Sequence, residues 1–366
     1  MTAAPGAPEI VTIIGNNPAD IRDYIIDGPG GFAKNSPPWC RPRYQPSKRR
    51  LTWPNGCYAV LLSAENPESV RGASGSLAWF DELCKFRYGQ DAWDQTMFAL
   101  REGANPRVIV TTTPKPTKLL KEIMADESTV ITTGTSHDNR ANLSARFYEH
   151  SLKKFEGTRK GQQEIYGKVL SENPLALWQS AQLDELREDH ASREELMARM
   201  RRIVVAVDPP GSSSSTADEC GIIVGGIDQL DHCCILEDLS IQGVRPAVWA
   251  KIVVDAYHRW GADRVVAEVN NGGEMVESTI RQVDPNVSYK AVWASRGKVT
   301  RAEPISALYE QGRVHHVGSF PDLEEQMVEF TTDFDRKTAG YSPDRVDALV
   351  WCATDLILPT PQWSVH

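Results

Sequence analysis

The chain has 366 residues, 41% hydrophobic and 24% charged, a balance that fits two domains, each large enough to bury its own core. No apolar run reaches the roughly 18 residues of a membrane span, and the opening MTAAPGAPEI lacks the basic and apolar regions of a secretory signal. The net charge of −9 comes entirely from the second half: residues 1–200 carry 25 basic and 25 acidic side chains, residues 201–366 carry 15 and 24. Bulk charge there does not favour a polyanion, so any grip on nucleic acid must come from local basic patches and bound cations.

In the first half, EIVTII (9–14) reads as a buried strand, followed by a helix from Pro18. CYAVLLS (57–63) and SLAWF (76–80) are further strands, and a helix over 91–102 precedes the strand RVIVTTT (107–113). This order predicts a parallel α/β sheet. Residues 144–168 look helical, and 171–200 is a polar, charged stretch containing Pro174. The expected organisation is a first domain over 1–170, a linker over 171–200, a second domain over 201–358 and a tail over 359–366.

The second domain opens with strands RIVVAVD (202–208), ECGIIVGGI (219–227) and HCCILEDL (232–239), the last two joined by the turn DQLD, which predicts an antiparallel meander. A helix over 246–260, a strand RVVAE (264–268), a helix from 273, a strand at 289–294, a helix from 301, a strand at 313–317 and two final helices follow. That is the layout of a ribonuclease-H-like sheet. Seven cysteines, at 40, 57, 84, 220, 233, 234 and 352, form no C-x-x-C pair and read as reduced thiols, several of them small core residues.

Three carboxylates stand out. Asp208 ends the apolar strand VVAV before Pro209-Pro210, and Glu268 ends RVVAE before the glycine-bearing NNGG. Asp347 lies in SPDRVDALVW, where Ser342 is expected as N-cap, Pro343 as first helical residue, and Asp344 at the positive helix end. Asp347 then shares the inward face with Val350 and Trp351. A single Asp at a strand end is ordinarily a turn or cap residue. Three acids carried by strand, strand and helix, each in an apolar frame, repel one another unless cations lie between them. Oxygen ligands without His or Cys favour Mg²⁺ or Mn²⁺, and two such ions about 3.5–4 Å apart are suited to phosphodiester cleavage. Asp218 and Asp344 are auxiliary candidates, with a loop and a helix start as their alternative roles.

In the first half, SLAWFDE (76–82) has the shape of a Walker B motif, with Asp81 as Mg²⁺ ligand and Glu82 orienting the attacking water. RVIVTTTPKP adds a strand ending in a Thr cluster at Thr111, Thr112 and Thr113, suited to sensing a phosphate. No G-x-x-x-x-G-K-[ST] run occurs, so ATP is expected as a ligand only if that loop is supplied elsewhere.

The stretches KRRLTWPNGCYAVLLSAENPESVRG (48–72), LAWFDEL (77–83), VIVTTTPKP (108–116), GTRKGQQEIYGKVL (157–170), AVDPP (206–210), ADECGI (217–222), AEVNNGG (267–273), ASRGKVTRAEPISALYEQGRVHH (294–316) and SPDRVDALVWCAT (342–354) together resemble the terminase large subunit, the DNA-packaging motor of tailed phages and gene transfer agents. The resemblance implies an incomplete P-loop ATPase-like α/β domain followed by a ribonuclease-H-like nuclease that cuts concatemeric DNA. It implies nuclease acids at Asp208, Glu268 and Asp347, the Walker B pair at Asp81 and Glu82, and the coupling motif at Thr111 to Thr113. Arg71 is then a nucleotide-linked arginine, and Lys298 and Arg301 are basic positions near the nuclease acids, placed to meet a DNA phosphate. The implied partners are duplex DNA, a small terminase subunit and the portal ring, in the host cytoplasm. The family's Walker A precedes the region matching EIVTIIGNN, so the expectation is metal-dependent cleavage with negligible ATP turnover by this chain alone. The competing readings are a catalytically idle prophage fragment that binds DNA or portal, and a recombinase or resolvase on the same fold; the ATPase-like motifs weigh against the latter. The cluster RPRYQPSKRR (41–50), with Trp39, Tyr44 and Trp53 interleaved, reads either as a DNA contact or as a solvated loop, the second being favoured.

Overall fold

A computed structural model describes residues 10–70, 74–103, 105–144, 159–170, 173–210, 219–270, 273–336 and 341–358. The chain divides into two units, Met1–Ser171 and Glu172–His366, each built round its own sheet.

The first sheet comprises β1 (Ile10–Gly15), β2 (Arg43–Gln45), β3 (Arg50–Thr52), β4 (Tyr58–Ser63), β5 (Leu77–Asp81) and β6 (Arg107–Thr111), in the order β2-β3-β4-β1-β5-β6. Strands β4, β1, β5 and β6 run parallel, and β2 and β3 add an antiparallel ribbon at one edge. β1 is central and covered on both faces: Ile13 packs with Ile25, Leu51 and Leu61, and Ile14 with Ala78, Phe80 and Phe86. That two-sided burial explains its continuous apolar sequence. The helix expected from Pro18 is one turn, Pro18–Asp20, widening into a π-helix over Ile21–Ile26 that lays Ile21, Ile25 and Ile26 on the sheet. Helices α1 (Gly89–Ala99) and α2 (Lys118–Ala125) follow β5 and β6. Of the helix expected over 144–168, the described part is Arg159–Glu164; residues 145–158 lie outside the described residues.

The second unit contains α3 (Ser180–Glu185), β7 (Arg187–Glu188), α4 (Arg193–Arg199), β8 (Met200–Asp208), β9 (Glu219–Asp228), β10 (Cys233–Asp238), β11 (Ile241–Gln242), α5 (Pro246–Arg259), β12 (Arg264–Glu268), α6 (Gly273–Val283), β13 (Tyr289–Val292), α7 (Lys298–Glu310), β14 (Val314–Val317), α8 (Pro321–Glu329) and α9 (Asp344–Ile357). The sheet order is β13-β12-β8-β9-β10-β14-β7, with β11 paired to β9. β8, β9 and β10 form the expected antiparallel meander, and β12 joins β8 in parallel. Helices α5 and α6 cover one face, where Trp249, Val253 and Ile280 meet Val205, Val207 and Val224. Helices α7, α8 and α9 cover the other, where Ile305, Leu323 and Leu349 meet Val204, Ala206 and Ile223.

The stretch expected as a linker is folded into this unit from residue 173 onward. Trp178 is fully buried between Tyr309 and Phe330, and Leu183 lies in the same core. A Ser192–Glu195 capping box starts α4. β7 extends the sheet beside β14, and its Arg187 carries the reason a charged stretch can pack here. Its guanidinium makes two bonds to Glu324, at 2.7 and 3.1 Å, and one to Asp184 at 2.7 Å. Glu324 also meets buried His316 at 2.9 Å, whose other ring nitrogen meets the Tyr309 hydroxyl at 2.8 Å.

Burial opposes ionisation of Glu324, but Arg187 and His316 overcome it and hold the carboxyl far below its usual range. Burial holds His316 below its ordinary value, with Glu324 acting the other way. Both groups bind protons more readily in the unfolded chain, so both contributions are present at neutral pH and decline as pH falls, His316 below about 6.5 and Glu324 below about 4.3. Thermal melts of the second unit should therefore show falling midpoints from pH 7 to 4. Glu324→Gln, which leaves Arg187 under-neutralised, should cost about 3 kcal/mol at pH 7 and remove the acid dependence that sets in below about 4.3. His316, deprived of the carboxylate that raises it, should then lose stability at least as steeply below about 6.5. An unchanged pH profile would refute the role given to this network.

Candidate functional site

β8 and β12 are adjacent and parallel, and their register pairs Val207 with Ala267. Asp208 and Glu268 therefore emerge at the same end of the sheet, side by side. The third acid arrives on α9, which crosses β8 and β9. Its approach depends on glycine. Gly221 lies opposite Asp208 in the register, and a Cβ there would stand 2.0 Å from the carbonyl oxygen of Asp344. At Gly225 a Cβ would stand 2.5 Å from Cys352 Sγ. Glycine inside a strand is otherwise weakening, and here it admits a helix backbone.

α9 starts one residue later than the sequence pattern implied. Pro343 occupies the cap position, without a side-chain cap bond, and Ser342 Oγ instead meets Lys298 Nζ at 3.2 Å. Asp344 is thereby the first helical residue, yet it is only 5% exposed, and Asp347 is 4% exposed. One carboxylate oxygen from each of Asp208, Asp344 and Asp347 lies within 4.8 Å of the others. Glu268 stands beside this group and is held by Trp351, whose Nε1 donates at 2.6 Å, and by Arg301 at 3.1 Å. Arg301 reaches Asp347 at 3.1 Å with its other terminal nitrogen and stacks 4.7 Å from the Trp351 ring centroid. Lys298 also pairs with Asp347.

Burial raises the Asp208 carboxyl well above its usual range, and Asp347, Asp344 and Glu268 add to it in that order. Burial raises Asp347 as well, while Lys298 and Arg301 pull it back. Four carboxylates face two cations, an excess of negative charge that a bound divalent ion relieves. The donor set is oxygen only, which fits a hard cation such as Mg²⁺ or Mn²⁺.

Arg345, which lies within SPDRVDALVW but has no role in the reading of that motif, fixes the start of α9. It bonds both oxygens of Glu219, at 2.9 and 3.0 Å, and Asp238 at 2.7 Å, tying the helix to β9 and β10. The glycines in ECGIIVGGI were the visible signal of this close packing. Asp218 lies outside the described residues.

In the first unit, Asp81 ends β5 and accepts from Thr111 Oγ1 at 2.9 Å; burial raises its carboxyl and that bond pulls it back. Glu82 is left-handed, at φ 59°, and accepts from the Thr113 amide at 3.3 Å. Thr112 Oγ1 accepts from the Cys84 amide at 3.0 Å. These bonds turn the chain away from the sheet and end β6 at Thr111, short of the expected 113. The acid pair and the three threonines thus form one ledge. Arg71 lies outside the described residues.

Gly221→Ala tests the packing at the acids. The new methyl must push Asp344 outward, so stability should fall by about 2 kcal/mol and Mn²⁺ affinity should fall with it. Denaturant melts and Mn²⁺ calorimetry read the two effects, and wild-type values for both would contradict the account.

A family model described as terminase large subunit, T4likevirus-type, N-terminal, matches residues 4–206, and one described as terminase RNaseH-like domain matches 205–354. No curated protein compared with the chain matches it. Among solved structures, the large terminase of a thermophilic bacteriophage is similar at 13% identity over 97% of this chain and 88% of that one, with a TM-score of 0.43. The HK97 bacteriophage large terminase is similar at 15% identity over 96% and 85%, with a TM-score of 0.33. The nuclease domain of the bacterial virus Sf6 large terminase subunit is similar at 11% identity over 49% and 98%, with a TM-score of 0.38. By its family models, which together span residues 4–354, the chain belongs to the terminase large subunits, with an ATPase-like N-terminal domain and a ribonuclease-H-like nuclease domain at its C-terminal side.

Proposed function

We propose that the second unit is a divalent-metal-dependent endonuclease that cuts concatemeric duplex DNA during genome packaging. The observation that carries this reading is the buried group of Asp208, Asp344 and Asp347, with Glu268 beside it, in a domain of the terminase nuclease family. Asp208 and Asp347 hold Mg²⁺ or Mn²⁺, with Asp344 as a further ligand and Glu268 completing the set. Two such ions, when bound, activate water and stabilise the leaving oxygen. Trp351 and Arg301 keep Glu268 directed at the group. Lys298 and Arg301 balance Asp347 and stand where a DNA phosphate would arrive, so they supply the local positive charge that an acidic domain otherwise lacks.

In the first unit, Asp81 serves as the ligand of a nucleotide-bound Mg²⁺ and Glu82 orients water, with Thr111, Thr112 and Thr113 coupling that ledge to nucleotide state. The 366 residues contain no G-x-x-x-x-G-K-[ST] run, so ATP chemistry requires that loop from elsewhere. The partners are duplex DNA, a small terminase subunit and the portal, in the host cytoplasm. Among the described residues no helix is long and apolar enough to cross a membrane.

Supercoiled plasmid with Mn²⁺ provides the test. The wild-type chain should nick it while hydrolysing ATP negligibly, and Asp208→Ala should leave the plasmid intact. Equal nicking by both proteins would sink the assignment, as would strong ATP turnover abolished by Glu82→Gln for the ATPase half.

A further inference from the structure

Two histidines meet at the end of the second sheet opposite the nuclease acids. β9 starts beside Asp208, which pairs with Gly221, and ends beside β10, where Ile227 pairs with Cys233. That length of strand separates the two ends by about 20 Å. His232 enters β10 there, and His315 lies in the parallel neighbour β14, whose register pairs Cys233 with Val314 and Cys234 with His315. Cys233 and Val314 pack under α7, α8 and α9, and Cys234 under α5 and α6. Strand alternation therefore puts His232 and His315 together on the side of Cys234.

The two rings face each other through nitrogen. His232 Nδ1 and His315 Nε2 are 3.0 Å apart, in rings 20° from parallel. His315 Nδ1 stands 3.2 Å from the Leu186 carbonyl oxygen, which can only accept, so that nitrogen carries the ring proton and Nε2 presents a lone pair. His232 Nδ1 donates to that lone pair. If His232 moves its proton to its own Nε2, two lone pairs are left across the same gap with no change in net charge. Nitrogens 2.0–2.1 Å from one ion stand about 2.8–3.0 Å apart when cis in a tetragonal site and about 3.3–3.4 Å apart in a tetrahedral one. The observed gap already fits that range.

Both rings are held in place by backbone. Asp228 Oδ1 accepts from the amides of Leu230 and His232, at 2.8 and 2.9 Å, and so fixes the turn from which His232 emerges. His315 is held by strand pairing and by Leu186, whose carbonyl serves it as an outer carbonyl serves a metal-bound histidine. Each histidine is half-buried, which leaves the pair open to solvent on one side. Local charge does not oppose a cation, because Asp228 and Asp231 in the turn offset Arg201 and Arg313, which bind Asp231 through its carboxylate and its carbonyl. Imidazole nitrogen suits Zn²⁺, Cu²⁺ and Ni²⁺, whereas the oxygen-only acids at the other end of the sheet suit hard ions.

We propose that His232 and His315 form a binding site for a late first-row divalent ion, Zn²⁺ or Cu²⁺, which pins β10 to β14 and is separate from the nuclease acids. The full chain titrated with Cu²⁺ and followed by electron paramagnetic resonance tests it. The first equivalent should show superhyperfine splitting from two nitrogens. His232→Gln and His315→Gln should each lose that pattern and, by calorimetry, bind the first equivalent more weakly by about tenfold or more. Zn²⁺ should raise the melting temperature of the wild type and leave that of the variants unchanged. Mn²⁺-dependent nicking of plasmid should be the same in all three proteins. His232→Gln, at the exit of a turn, keeps the test decisive if His315→Gln disturbs the strand and fails to fold. A first equivalent bound through one nitrogen or none, or a two-nitrogen pattern that persists in His232→Gln, would overturn the site. The nitrogen pattern together with a wild type that cannot nick plasmid would overturn the nuclease reading alone.

Discussion

The contact on which the nuclease unit depends is that of α9 with β9, made where the strand carries glycine in place of side chains. Gly221 and Gly225 let the helix backbone settle against the strand, and the Arg345 pairs with Glu219 and Asp238 hold it there. Because the helix lies so close, its first-turn carboxylates are buried beside Asp208 rather than solvated. Burial then raises Asp208 and Asp347, and the chain answers with Lys298 and Arg301. The electrostatic tension at the acids is thus a packing consequence. An acidic cluster on an exposed surface would lack it, because water would screen the repulsion.

The same logic separates the two halves. In the second unit, negative charge is gathered at the sheet end and partly neutralised from within. In the first, Asp81 and Glu82 are tied to a ledge of threonines, while positive charge is left uncompensated on a ribbon at the sheet edge. The overall charge of −9 conceals this division.

Much of the nuclease sheet was legible because two-sided burial writes itself as unbroken apolar runs. RIVVAVD and RVVAE each end in an acid, and adjacent parallel strands bring such ends together. Less legible was anything resting on one or two residues. Asp344 was readable as an auxiliary ligand or as an ordinary helix start, because a Ser-Pro pair precedes it; its burial follows from Gly221, far away in sequence. The stretch 171–200 looked like a linker because Trp178 and Leu183 are isolated among charges, and the partner that neutralises Arg187, Glu324, lies 137 residues away. Three-residue strands carry too little periodicity to be seen, so the arginine-rich hairpin read as solvated loop. The roles given to Arg71 and Asp218 fall on positions outside the described residues.

If Asp208, Asp344 and Asp347 share a divalent ion, anomalous diffraction from crystals of the chain soaked in Mn²⁺ should show a manganese peak within about 2.3 Å of a carboxylate oxygen from all three residues, absent from Asp344→Asn crystals soaked in the same way. Manganese bound elsewhere, with these three carboxylates still engaged only by Lys298 and Arg301, would contradict it.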